Sequence, residues 1–137
     1  MITHLLDTSV YSQPLKKRPL PSVIDRWSGL GDGSLAISAV CEAELMHGLW
    51  KRDVERLWAD YRTILENRLL ILPVDKSVAD LFGQLRAHTE KIGTPRSEFD
   101  LLIAATARHH DLVIATCNVR HFVGLPGLRV EDWSVPG

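Results

Sequence analysis

Short, continuously apolar segments alternate with longer amphipathic ones along this chain, and that alternation constrains its fold most. Strand-length apolar runs occupy residues 2–6, 35–37, 69–74, 112–116 and 128–130. Between them apolar residues recur at helical spacing. Val54, Leu57, Trp58, Tyr61, Ile64 and Leu65 form one such stripe, and Val78, Leu81, Phe82, Leu85, Thr89 and Ile92 another. Further helices are expected after Asp7, stopping early at Pro14; from about residue 21 to 30; and from an N-cap at Ser38 to about Trp50. A last one runs from near Glu98 through Ala107, after the break at Gly93-Thr94-Pro95. Strands without a polar face must be covered on both sides, and strands separated by helices pair in parallel. The expected fold is an α/β three-layer sandwich, with a mainly parallel central sheet of about five short strands and helices on both faces. No repeat, linker or low-complexity stretch interrupts the pattern, so residues 1–137 are read as a single domain.

Composition narrows the function classes. The formal net charge is -1, so nucleic-acid binding requires a local basic patch rather than a global field. The first apolar run is too short for a signal peptide and Asp7 interrupts it; no run reaches the ~20 residues of a membrane span. Cys41 and Cys117 lie far apart in apolar contexts, which is neither a disulfide framework nor a zinc spacing. A cytoplasmic protein is expected.

The acids carry the chemistry. In a parallel sheet, ligands bind beyond the carboxyl ends of the strands, and Asp7 stands at such an end. Glu42 and Glu44 follow the second strand on one helix, about 200° apart around its axis, so only one can face Asp7. Asp100 opens an otherwise apolar helix over residues 100–107. Each acid alone has a structural use: Asp7 as a cap, Glu44 as a solvated residue, Asp100 as a partner of the helix dipole. Together they form a set bordering strand ends and helix starts. Converging carboxylates need a cation, and hard divalent ions such as Mg²⁺ or Mn²⁺ prefer such oxygens. Other constellations fall short. Glu44-Leu45-Met46-His47 has a di-iron spacing without the second copy that a di-iron bundle needs, and the Gly29-to-Gly33 turn precedes a strand instead of following one.

Leu5-Leu6-Asp7-Thr8-Ser9-Val10, the segment from Ser38 through Glu44 to Gly48, and Asp100-Leu101-Leu102-Ile103-Ala104-Ala105-Thr106-Ala107 resemble the three main motifs of PIN-domain proteins. The tail Ala115-Thr116-Cys117-Asn118-Val119-Arg120-His121-Phe122, with Leu125-Pro126-Gly127-Leu128 behind it, is similar to the end of VapC-type toxins. The resemblance implies a PIN-like sandwich and an endoribonuclease toxin of a type II toxin–antitoxin pair. It implies Asp7, Glu44 and Asp100 as catalytic metal ligands for Mg²⁺, with Mn²⁺ as an alternative, and Glu44 rather than Glu42 as the motif acid. Thr8 and Ser9 would cap or donate to Asp7, and Thr116 and Asn118 match polar positions after the fourth strand. A VapB-like antitoxin, an RNA substrate and a homodimer are the implied partners, without a membrane. Trp50, Trp58 and Met46 are residue types that interfaces favour and that core packing explains as well. Arg120, Arg96, Lys16, Lys17 and Arg18 are candidates for holding the RNA backbone, each also readable as solvated surface.

Two positions depart from the family pattern: Phe99 stands where Asn is frequent, and His121 where an acid is frequent. His121 is expected beside the metal site. Two rival readings stay open. A non-catalytic PIN-like RNA-binding or scaffolding domain would be expected to lose acids. A receiver-like signalling module could use Asp75, but wants an acid pair after the first strand and a Lys after the last, and neither is present.

Overall fold

The computed structural model describes all residues, 1–137. Five strands form one parallel sheet: β1 His4–Leu6, β2 Leu35–Ser38, β3 Leu70–Leu72, β4 Val113–Thr116 and β5 Val130–Asp132. Six helices connect them: α1 Thr8–Tyr11, α2 Pro21–Leu30, α3 Ala39–Arg52, α4 Glu55–Ile64, α5 Lys76–Lys91 and α6 Glu98–His109. None is long and apolar enough to cross a membrane.

The strand order is β3-β2-β1-β4-β5. β1 is central, with Leu6 paired to Ile37 on one side and Ala115 on the other. The chain winds outward through β2 and β3, then returns to add β4 and β5 beyond β1. Winding therefore reverses at β1, and a crevice opens past its carboxyl end, the usual ligand position in such sheets. That is where Asp7 sits.

Period-2 geometry explains the apolar strands. Leu5 and Leu6 are both fully buried but belong to different cores. Leu6 packs with Val10, Tyr11, Trp27, Ile37, Leu45 and Trp133 on one face. Leu5 packs with Leu101, Ala104, Ile114 and Phe122 on the other. Burying a Leu on each face contributes about 1.5–3 kcal/mol apiece, so neither face tolerates a polar residue cheaply. α6 is largely buried from Leu101 to Ala107, where it packs between the second core and α5.

Two expectations change. Coverage on both faces fails at the edge strand β3, where Leu70 is 54% and Ile71 44% exposed. The last strand begins at Val130 and runs into Glu131 and Asp132, two residues later than its apolar run suggested. Leu128 and Arg129 lie between it and a turn at Pro126-Gly127, where Gly127 has φ 70° and sits against the Arg108 guanidinium.

Candidate active site

Asp7 caps α1, and the cap is only part of its environment. Its Oδ1 accepts from the Val10 backbone N–H at 3.2 Å and from Ser9 Oγ at 2.6 Å. Its Oδ2 accepts from Thr116 Oγ1 at 2.6 Å. Thr116 and Ser9 are themselves held: Thr116 Oγ1 accepts from the Asn118 N–H at 2.8 Å, and Ser9 Oγ from the Cys117 N–H at 2.9 Å. The β1 and β4 ends are thus laced together around one carboxylate that is 5% exposed. Burial raises the Asp7 pKa above the ordinary carboxylate value. Hydrogen bonds from Ser9, Thr116 and Val10 oppose that shift, and the Asp100 charge adds to it.

Glu44 reaches the same region from α3. Its Oε1 accepts from Thr8 Oγ1 at 2.7 Å. Burial raises its pKa first, Thr8 opposes, and the charges of Asp100 and Asp7 raise it further. Asp100 enters from the first turn of α6, whose cap Ser97 accepts the Asp100 N–H at 3.1 Å. His121 Nδ1 lies 3.3 Å from Asp100 Oδ2. Three carboxylates from three elements therefore share one crevice and repel one another.

As placed, no three acidic, imidazole or thiol side chains converge closely enough to grip one ion together. Thr8 holds Glu44, and His121 faces Asp100. The donor chemistry still fits a hard divalent cation, being carboxylates and hydroxyls, with Asp7 fixed and the other two on side chains able to turn. Nearby sulfur offers no competing site. Burial pushes the Cys41 thiol well up from its ordinary value.

Glu42 points away, as the helical spacing requires. It accepts from Tyr11 Oη at 3.3 Å and Tyr61 Oη at 3.2 Å, tying α3 to α1 and α4. Burial, together with the neighbouring Glu42 charge, pushes the Tyr61 phenol up to about 12. Asp75, the acid a receiver module would need, instead caps α5 by accepting the Val78 N–H at 3.0 Å.

The remaining polar residues divide. Asn118 is exposed and joins the site through its backbone N–H. Arg120 is exposed on the short turn Val119–His121, next to His121. Lys16 and Lys17 line a groove of about 660 Å³ that begins at Thr8 and Glu44; Arg18 is exposed in the same loop. Arg96, also a candidate for holding the RNA backbone, has its guanidinium engaged with main-chain carbonyls. It donates to the His121 carbonyl at 3.3 Å and the Val123 carbonyl at 3.1 Å. Arg52 and Arg56 also line the groove, and sequence motifs had no means of finding them. Arg52 lies two turns beyond Glu44 on α3, and Arg56 joins it because α4 turns back beside that helix.

Comparison with known proteins agrees with this architecture. A family model described as "PIN domain" matches residues 4–125. The tRNA(fMet)-specific endonuclease VapC of Shigella flexneri is 37% identical over 135 residues, covering 98% of this chain and all of that one. Among solved structures, DNA-bound VapBC from Salmonella typhimurium superposes with a TM-score of 0.84 at 30% identity, covering 97% of this chain and 99% of that chain. VapBC2 from Rickettsia felis, bound to a promoter DNA fragment, gives 0.86 at 29% identity with the same coverage. On a match that takes in most of its length and a relative aligned nearly end to end, this chain belongs to the PIN-domain family, among its VapC-type members.

Proposed function

We propose that this protein is a metal-dependent endoribonuclease, the toxin of a VapBC-type pair. The observation that carries the reading is the gathering of Asp7, Glu44 and Asp100 at the point where the sheet reverses its winding, with Asp7 buried among three donors. A fold gains nothing from three mutually repelling carboxylates in one crevice, whereas a divalent cation needs them. A scaffold would have no use for them either.

Asp7 would be the fixed ligand, with Glu44 and Asp100 completing the set, directly or through water. Mg²⁺ is the expected ion and Mn²⁺ a workable substitute. When bound, the ion supplies a more acidic water for attack on phosphorus and offsets the charge gathering on the phosphate oxygens. The chain's own residues do the rest. Thr116 and Ser9 keep Asp7 from turning away, as partners behind a metal ligand do. Lys16, Lys17, Arg52 and Arg56 line the groove beside Glu44, and exposed Arg120 stands next to His121 in the turn after β4, so cations are at hand for a phosphodiester backbone. The relative from Shigella flexneri is named for cleavage of one transfer RNA; a structured RNA is accordingly the first substrate class to test.

An antitoxin is the expected partner. The groove at Glu44 has an apolar floor of Leu15, Leu45, Leu49, Val54 and Leu57, suited to an apolar segment of a second protein. A homodimer is expected alongside it. The test of function is cleavage of RNA by protein stripped with EDTA, then resupplied with Mg²⁺ or Mn²⁺, beside Asp7→Asn, with mapping of the cut ends. Full cleavage in EDTA overturns the mechanism. Co-expression with the neighbouring gene of the operon tests the pair.

A further inference from the structure

Arg96 is the one cation near the acids whose guanidinium is spent on backbone. It lies four residues before Asp100, next to the cap Ser97, in the segment leading into α6. Its two donors grip the carbonyls of His121 and Val123, the residues on either side of Phe122. Phe122 and Leu125 are buried in the second core and anchor the turn after β4 to the sheet. His121, between them and β4, is only partly buried, and Arg96 ties its carbonyl to the segment leading into α6. In that arrangement His121 Nδ1 lies 3.3 Å from Asp100 Oδ2.

We propose that Arg96 is a positioning residue: by clamping the turn at residues 121–123 to the start of α6, it sets His121 against Asp100 and thereby fixes the direction of the Asp100 carboxylate. The two connections join the same two segments. One is backbone to guanidinium and the other side chain to side chain, so losing the first loosens the second. The proposal rests on the metal-site reading above, in which Asp100 is a ligand.

The experiment compares wild type with Arg96→Ala, Arg96→Lys, His121→Ala and the Arg96→Ala/His121→Ala double variant. Mn²⁺ affinity is measured by calorimetry, and hydrogen exchange of the amides of residues 121–123 is followed in metal-free protein. RNA cleavage kinetics are measured over a range of salt. Arg96→Ala should speed exchange in the turn and weaken Mn²⁺ binding about tenfold, the lower end for partners behind a metal ligand. Arg96→Lys, able to donate to one carbonyl, should recover part of that loss. In the His121→Ala background, Arg96→Ala should weaken Mn²⁺ by less than about twofold, since the two act through one connection. The KM for RNA and its salt dependence should stay as in wild type. An unchanged Mn²⁺ affinity in Arg96→Ala overturns the proposal alone. So does a raised KM with a shallower salt dependence, which would make Arg96 a phosphate contact. Absence of Mn²⁺ binding by wild type overturns the metal-site reading and this proposal with it.

Discussion

Glu42 and Glu44 stand two residues apart on α3 and should fail in opposite ways when truncated. Glu42 accepts from the phenols of Tyr11 and Tyr61, which are 1% and 7% exposed and donate to no other side chain. Glu42→Ala leaves both hydroxyls buried without an acceptor, at roughly 1–3 kcal/mol each. Relief from burying the Glu42 carboxylate, whose pKa is raised chiefly by desolvation, returns part of that. The net loss is about 2–4 kcal/mol, set by the two phenols. For a domain of this size about 3 °C of Tm accompanies each kcal/mol, so Tm should fall by about 6–12 °C. Glu42→Gln keeps one acceptor oxygen and removes the buried charge, so its Tm should lie within about 3 °C of wild type. Well below Tm, both variants should cleave RNA within about threefold of wild type, because neither touches the acids at the crevice. Glu44→Ala should do the reverse, keeping Tm and losing cleavage. The assays are calorimetric melting and cleavage of a labelled RNA. A Glu42→Ala Tm within about 2 °C of wild type, or a Glu42→Gln as unstable as Glu42→Ala, would refute the tyrosine account. Glu42→Gln losing cleavage while Glu44→Ala keeps it would refute the assignment of the motif acid.

Asp7→Asn should abolish cleavage yet leave the metal-free fold as stable as wild type or more so at neutral pH. Burial raises the Asp7 pKa in the folded state. Its favourable contribution is therefore complete below the ordinary carboxylate value and is lost as pH rises through the higher folded value. In EDTA the wild-type Tm should carry that decline as pH rises above the ordinary carboxylate value, and Asp7→Asn should flatten it; a steeper decline in the variant contradicts the account. Adding Mg²⁺ should raise the wild-type Tm by mass action and leave that of Asp7→Asn unmoved, measured by melting across a Mg²⁺ series. Thr116→Val removes the donor to Asp7 and the acceptor of the Asn118 N–H. It should cost about 1–3 kcal/mol and weaken Mn²⁺ binding, read by melting and calorimetry.

The sheet, its parallel sense and the order of helices were legible in the sequence because they follow from local periodicity. Leu5 and Leu6 are adjacent, apolar and buried in different cores, which is what a strand covered on both faces requires. The choice of Glu44 over Glu42 came from the family motif, and helical spacing shows why only one of them can face Asp7. β3 was misjudged because an edge strand keeps the composition of an inner one while losing its cover. The last strand shifted because its pairing partner Thr116 aligns with Asp132, a matter of register that no apolar run encodes.

By itself, the sequence determined the elements, the central place of Asp7 at a strand end and the acids available to a cation. Tertiary structure alone decided the contacts that give those acids direction. Thr116 meets Asp7 across 109 residues, and Thr8 meets Glu44 across 36. Arg96 meets the carbonyls of His121 and Val123 only because the start of α6 and the turn after β4 come side by side. Periodicity is a property of neighbours along the chain, whereas a hydrogen bond depends on positions within a few tenths of an ångström between segments that the sheet register brings together.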